Sequence, residues 1–500
     1  MTIATRPDPP DPPDGPGGPG GGGRDTPDHL LWESMLRDVE GLLARDPEAV
    51  GPAFRRAQLL WNLGLTEEAK RAYARVLVLA PDHVEAINNL GAVLLVTGFR
   101  RDARICFAQA VSRRPDHPMG HVNLANLLME EGDLSQAREH YLKALEAAPG
   151  LAEAHQGLAW LHGRLGDEET ADVHRRLGYG RRPVTVLPYR GRGEPRRILL
   201  LLSAGRGNVQ LEKFLDDRVY LVTIAFMEYF DPSHPMPPQG LIVNAIGNAD
   251  LCGPALEAAA ALTSRSPSPV VNPPQAVLRT GRVQVSRRLG NIPGLVCPAM
   301  ENLPRQALFA PDALAARGFS FPLLMRTPGF NNGRHFRKVD GPAGLEAALA
   351  SLPGQELTAI RFLDARSADG KIRKYRVLFV DGKIYPLHLA VAHDWKIHYH
   401  TADMAGSPEH RAEEAAFLED MEAVLGPVAM KALEAVRQTL GLDYGGADFS
   451  LDGGGRVLLF EANATMTVSP PEPGQLWDYR RAAIDRVMQA VGAMIARRAS

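Results

Sequence analysis

Gly446-Ala447-Asp448-Phe449-Ser450-Leu451, then Asp452-Gly453-Gly454-Gly455, then Arg456-Val457-Leu458-Leu459-Phe460-Glu461-Ala462-Asn463 is the stretch on which the fold of the C-terminal half turns. Two runs with strand character flank a turn whose glycines tolerate positive φ, which predicts a β-hairpin. A turn centred on Gly454 and Gly455 sets Asp448 opposite Glu461. Alternation along the strands then puts Asp448, Glu461 and Asn463 on one face and Phe449, Leu451 and Phe460 on the other. Two carboxylates and an amide oxygen, with no lysine or arginine among them, need a cation. Hard oxygen donors of this kind suit magnesium or manganese, which also keep waters and substrate phosphates in their shell. The plainer alternative is an exposed hairpin whose polar face is acidic.

The chain has 500 residues, too many for one core. Its 56 basic and 58 acidic residues nearly cancel, so bulk charge implies neither a nucleic-acid partner nor an anionic membrane. Cys106, Cys252 and Cys297 are odd in number and lack metal-ligand spacing, which argues against a disulfide framework and for a reducing compartment. The N-terminus shows no basic-then-apolar signal, and the apolar run at Ile198 to Leu202 is too short to span a bilayer. The expectation is a soluble, cytoplasmic protein of several domains.

Residues 1–28 are rich in proline, glycine and aspartate and predict a disordered tail. A repeat then runs through 29–177. Pro47, Pro81, Pro115 and Pro149 stand 34 apart, as do Gly64, Gly98, Gly132 and Gly166, and Ala69, Ala103, Ala137 and Ala171. Tyr73, Phe107 and Tyr141 keep the same step. This pattern resembles tetratricopeptide repeats, in which small residues let two antiparallel helices approach and proline closes each unit. Three copies lie between Val50 and Gly150, with a leading helix near Leu31 to Leu43 and a trailing pair ending near Leu177. The resemblance implies an all-α solenoid with a concave surface for a protein or peptide; an internal scaffold or a dimerisation element is the other reading.

Residues 178–196, rich in arginine, glycine and proline, read as a linker. Beyond them strands and helices alternate: strands at Arg197–Leu202, Val219–Ala225 and Leu241–Ala245, helices at Leu211–Leu215 and Pro254–Leu262. The glycines of Ser203 to Asn208 follow the first strand as a phosphate loop would, but they lack a full dinucleotide fingerprint and read as a turn, with the phosphate loop as the alternative.

Strand, turn and strand ending in Glu-x-Asn resembles the metal-binding end of ATP-grasp ligases, such as D-alanine–D-alanine ligases, glutathione synthetases and ribosomal-protein glutamate ligases. On that resemblance 197–285 is an α/β pre-ATP-grasp domain and 286–500 the α+β ATP-grasp domain. Asn272-Pro273, followed by Thr280-Gly281-Arg282, resembles the start of the nucleotide-binding region, with Arg282 where relatives carry a phosphate-contacting lysine. Phe321 to Arg326 resembles the strand bearing the second nucleotide lysine, again replaced by arginine, Arg326. Pro328 to Phe336 resembles the glycine loop over the phosphates, which brings in Gly329, Asn332 and Gly333. Leu357–Leu363 resembles the hinge strand against adenine and ribose. Asp364 is a candidate for the ribose hydroxyls, or an ordinary exposed loop aspartate. Arg376 matches an arginine presented toward the transferred phosphate, with Lys374 on its face by alternation; a solvated basic edge is the alternative. His398 and His400 share a strand face, but zinc usually wants four ligands. Lining of the substrate pocket by His393, Trp395, Lys396 and His398 is therefore expected instead. Arg411 to Leu440 predicts one amphipathic packing helix.

The resemblance implies an ATP-dependent carboxylate–amine ligase that forms an acyl phosphate. Arg376, Arg326 and Lys374 would act on the transferred group, with ATP and magnesium (or manganese) as cofactors and a small-molecule or peptide carboxylate as substrate. The two arginines keep charge and can bind phosphate bidentately, yet need not support transfer as lysine does. The alternative is a nucleotide-binding adaptor without turnover. The substrate carboxylate, the nucleophile and the oligomeric state are not legible.

Overall fold

The computed structural model describes residues 28–499 apart from 234, 237, 310, 311, 313, 331, 332, 398–401, 472, 473 and 475. Two compact units emerge, Met1–Leu200 with Ala204–Arg206 and Leu215–Gly240, and Leu201–Ser203 with Gly207–Phe214 and Leu241–Ser500.

The first unit is a stack of helices: α1 (Asp28–Arg45), α2 (Val50–Asn62), α3 (Thr66–Leu79), α4 (Val84–Val96), α5 (Arg100–Arg113), α6 (Pro118–Glu131), α7 (Leu134–Ala147), α8 (Ala152–Leu165) and α9 (Glu168–Tyr179). From α2 onward they pair as α2/α3, α4/α5, α6/α7 and α8/α9. The helices approach closely at the recurring alanines, Ala69, Ala103, Ala137 and Ala171, which are fully buried. The recurring glycines serve a different purpose. Gly64, Gly98, Gly132 and Gly166 have φ of 73°, 88°, 89° and 87°, left-handed backbone that ends the first helix of each pair. Strands β1 (Val184–Val186), β2 (Arg196–Leu202) and β3 (Tyr220–Phe226) follow, with β1 antiparallel to β3. Thus the arginine-rich stretch 178–196 carries a strand, and its Arg190 binds Asp217 at 2.6 Å and the carbonyl of Asn62 at 2.6 Å.

In the second unit β4 (Leu241–Asn244) and α10 (Gly253–Thr263) precede β5 (Val270–Val271), which runs parallel to β4. The turn at Ser203 is closed by Asn208, whose amide both accepts from Ser203 N–H and donates to Ser203 C=O. Short helices α11 (Pro274–Leu278) and α12 (Arg282–Leu289) lead to β6 (Leu295–Val296), β7 (Met300–Pro304), β8 (Leu323–Arg326), β9 (Phe336–Val339), α13 (Leu345–Ser351) and β10 (Glu356–Arg361). The remaining elements are β11 (Ile372–Val380), β12 (Lys383–Ala392), α14 (Pro408–Glu419), α15 (Met421–Leu440), β13 (Tyr444–Leu451), β14 (Val457–Asn463) and α16 (Arg481–Arg498). They make one sheet of order β7-β10-β8-β9 and another of order β12-β11-β13-β14-β6. The single helix expected over 411–440 is two. Asp420 leaves helical geometry and caps α15 by accepting from Ala423 N–H at 3.0 Å, and Gly426-Pro427 kinks α15 where Gly426 adopts φ 75°. Among the described residues no helix is long and apolar enough to cross a membrane.

Candidate functional site

The hairpin forms as β13 and β14, with Asp448 paired to Glu461 and Gly446 to Asn463. Its turn is one residue out of step with the expected one. Leu451 pairs Val457, Gly455 takes φ 75°, and the carboxylate of Asp452 accepts from the N–H groups of Gly454 and Arg456 at 2.9 Å each. A β-bulge at Phe460 restores the register, because Phe449 pairs Leu459 and leaves Phe460 unopposed. The bulge also moves Phe460 off the face expected for it. Phe460 packs against the buried cluster that includes Leu458, Ala390 and Ile397, whereas Phe449 stacks on Tyr375 with ring centroids 5.5 Å apart.

The acidic face does not lack cations; they arrive from other elements. Arg376 is the direct partner of Asp448 across β11 and β13. Its Nε and Nη2 donate to Oδ1 and Oδ2 at 2.5 and 2.8 Å, and Lys374 Nζ adds a bond to Oδ2 at 3.0 Å. Asp448 is only 3 % exposed. Burial alone would raise its pKa, but Arg376 and then Lys374 outweigh burial and hold it far below the ordinary carboxylate range. Burial likewise opposes the charge on Arg376, and Asp448 reverses the effect so that its pKa is raised. His388, paired with Arg376 on β12, is kept well below its usual pKa by burial and by Arg376, so the imidazole is neutral.

Glu461 is held from α12: Arg282 Nη2 lies 2.6 Å from Oε1, and Arg282 Nε lies 4.0 Å from Asp250. Asn463 Nδ2 also donates to Glu461 Oε1, at 2.7 Å, while its Oδ1 accepts from the N–H and hydroxyl of Thr465. Arg326, at the end of β8, is 7 % exposed, and burial followed by repulsion from Arg282 lowers its pKa to about 10. Its Nη2 donates to the carbonyl of Phe330, and its guanidinium lies 5.6 Å from the Phe336 ring, which meets Trp395 edge-on at 5.4 Å. Arg282, Arg326, Lys374 and Arg376 thus interact with Asp250, Asp448 and Glu461, an excess of one positive charge in favour of an anionic ligand. The cavity beside them, lined by Arg282, Ser286, Cys297, Glu461 and Asn463, holds about 20 Å³, room for one water.

In the loop after β8, Gly329 and Gly333 adopt φ of 80° and 63°. A side chain at Gly329 would also lie 2.7 Å from Leu251. Asn332, His398 and His400 fall outside the described residues. Asp364 is exposed and accepts from Arg366 N–H at 3.2 Å. Trp395 stands near the cluster through Phe336, while His393 is exposed. Sequence reasoning missed the clamp made by Asn272. Its Oδ1 accepts from the N–H groups of Asp443 and Tyr444, and its Nδ2 donates to Tyr444 C=O, pinning the start of β13. The signal was the Asn-Pro pair, where φ 53° at Asn272 suits asparagine better than most residues.

Two carboxylates and an amide carbonyl are oxygen donors of the kind magnesium or manganese takes. Here, however, Asp448 is held by Arg376 and Lys374, Glu461 by Arg282, and Asn463 Oδ1 by Thr465, so an ion would fit only once these contacts open. Among the described residues no three His, Cys, Asp or Glu side chains form a metal-holding group.

The family model for the tetratricopeptide repeat matches residues 54–98 and 94–152. These helices are tetratricopeptide repeats. Solved structures similar to the chain include the crystal structure of MamA, 19 % identical, covering 29 % of this chain and 86 % of that one with a TM-score of 0.27. MamA 41-end from Desulfovibrio magneticus RS-1 is 26 % identical, covering 29 % and 81 % with a TM-score of 0.26. YrrB, described as a TPR protein with an unusual peptide-binding site, is 19 % identical, covering 31 % and 79 % with a TM-score of 0.26. No curated protein matches the chain. The tetratricopeptide helices α5, α6 and α7 surround a cavity of about 740 Å³ whose lining includes Arg104, His121, Leu124, His140 and Lys143.

Proposed function

We propose that the second unit is an ATP-grasp-type carboxylate–amine ligase and that the tetratricopeptide repeats hold its protein or peptide partner. The observation that supports this most is the convergence of Arg282, Arg326, Lys374 and Arg376 on a hairpin that ends Glu461-Ala462-Asn463. On this reading Arg282 and Arg326 bind phosphate oxygens, with loop N–H groups near Gly329 and Gly333 beside them. Arg376 and Lys374 meet the charge that spreads over the transferred phosphoryl group as a carboxylate attacks it. An amine then attacks the acyl carbon, so that the C–N bond forms as the C–O bond to phosphate breaks; inorganic phosphate leaves, and the amine gives up a proton. Magnesium or manganese would be held by Asp448, Glu461 and Asn463 and would neutralise phosphate charge. His388, neutral and buried, keeps the floor of the site from gaining a further cation.

The test is ADP release that requires both an added carboxylate and an amine, alongside calorimetry of ATP binding with magnesium. Absence of nucleotide binding would remove the proposal. A second reading, a nucleotide-responsive adaptor without turnover, is favoured by the arginines at both lysine positions and by the ion pairs that engage Asp448 and Glu461. Nucleotide binding without ADP release would select it.

A further inference from the structure

Two histidine pairs recur in the repeats at the same 34-residue step as the prolines and glycines. His121 on α6 faces His140 on α7 with Nδ1 atoms 2.8 Å apart, and His155 on α8 faces His174 on α9 with Nδ1 atoms 2.9 Å apart. A second contact assigns the tautomers. His121 Nε2 lies 2.8 Å from the carbonyl of Pro115, and His155 Nε2 lies 3.1 Å from that of Pro149. A carbonyl only accepts, so each of these Nε2 atoms carries the hydrogen. Neutral His121 and His155 then accept at Nδ1, and the Nδ1–H of His140 and of His174 must donate. One extra proton on the outer ring leaves this bond intact. A second, on Nδ1 of His121 or His155, removes the acceptor and sets two imidazolium rings face to face.

The earlier repeats supply an internal control. Stepping back by 34 leads to Ile87 and Cys106, which pack in one apolar cluster, and then to the buried pair Ala53 and Ala72. Helix pairing in this stack therefore does not require histidine at these positions. We propose that the two histidine pairs form a proton-operated latch between the paired helices of the last two repeats, closed at neutral pH and released on acidification.

The surroundings are mixed. Around the first pair stand Arg104 on α5, Arg114, Asp116 and His117 before and at the start of α6, and Glu139, Lys143 and Glu146 on α7. Around the second, His162 stacks on His174 at 5.9 Å and is itself held by Asp167 at 3.0 Å. Burial first, and the facing histidine second, lower the pKa of both His140 and His174. His121 and His140 also line the cavity beside α5, so release would change its charge as well as its walls.

The experiment is NMR of the full chain labelled with ¹⁵N in its imidazoles, followed from pH 8 to pH 5, with melting curves in parallel. Wild-type protein should show N–H···N coupling in both pairs at neutral pH, kept through the first protonation and lost only on further acidification, when the second proton arrives. The transition of the repeats should drop on acidification by about 4 °C more than in a variant carrying His121→Ile, His140→Cys, His155→Ile and His174→Cys. Four imidazoles that titrate independently, with no coupling, would overturn the latch. So would an equal pH dependence in wild type and variant. The NMR readout needs only wild-type protein, and so stands even if the variant fails to fold.

Discussion

Asp448 keeps its charge in a buried setting because Arg376 grips both its oxygens and Lys374 adds a third bond. Removing the carboxylate would leave two cations without a counterion. Asp448→Ala should therefore cost on the order of 3–5 kcal/mol in urea unfolding, several times what an exposed pair is worth. Arg376→Met combined with Asp448→Ala should recover part of that loss. Arg326 donates to a loop carbonyl, and on the proposed reading it turns to phosphate when nucleotide arrives. Arg326→Met should then weaken ATP binding roughly tenfold to a hundredfold by calorimetry, the range for a charge-assisted hydrogen bond. Glu461→Gln should lower turnover and metal affinity while the hairpin persists; activity equal to wild type would take Glu461 out of the site. The facing of Asp448 and Glu461 was reached from a turn placed one residue off, and it holds because the bulge at Phe460 offsets that residue. Their counterions were not legible. Arg376 and Lys374 lie 72 and 74 residues from Asp448 and reach it only through strand order.

At the scale of elements, the period of 34 made the helix pairs readable before any coordinates, because four residue classes repeat together. What each class does was less legible. The glycines looked like packing residues, yet they sit at φ between 73° and 89° and end helices, while Gly157 is the residue against which Tyr141 packs, a Cβ there lying 2.2 Å from the ring. Gly132→Ala should destabilise the repeats by about 1–2 kcal/mol, the strain of an L-residue in left-handed backbone, as thermal melting would show. The break between α14 and α15 escaped the sequence for a physical reason. Buried residues continue on both sides of it, from Phe417 and Leu418 to Met421 and Leu425, so periodicity alone does not register the non-helical backbone at Asp420.

Across the whole molecule a net charge of −2 conceals two different responses to acid. In the first unit, His140 and His174 have lowered pKa values, so the unfolded chain binds protons first and stability falls as pH drops below about 6.5. In the second unit the lowered pKa of Asp448 leaves its contribution intact above the unfolded carboxylate value, near pH 4, but buried His388, whose pKa is also lowered, adds a loss that begins below about pH 6.5. Scanning calorimetry at pH 7, 5.5 and 4.5 should accordingly show the transitions of both units moving down, with the carboxylate loss entering only below about pH 4. A transition of either unit that stays in place from pH 7 to 4.5 would contradict the histidine assignment for that unit.

The unopposed Phe460 carries a lesson for anyone aligning this chain with others. Counting outward from the turn lands one place short of the carboxylate that meets Asp448, so a homologue with a regular ladder would need one residue fewer between its two acids. An alignment that forbids a gap there would set Phe460 against that homologue's glutamate and report the acid as lost, when the chain has merely stepped around it.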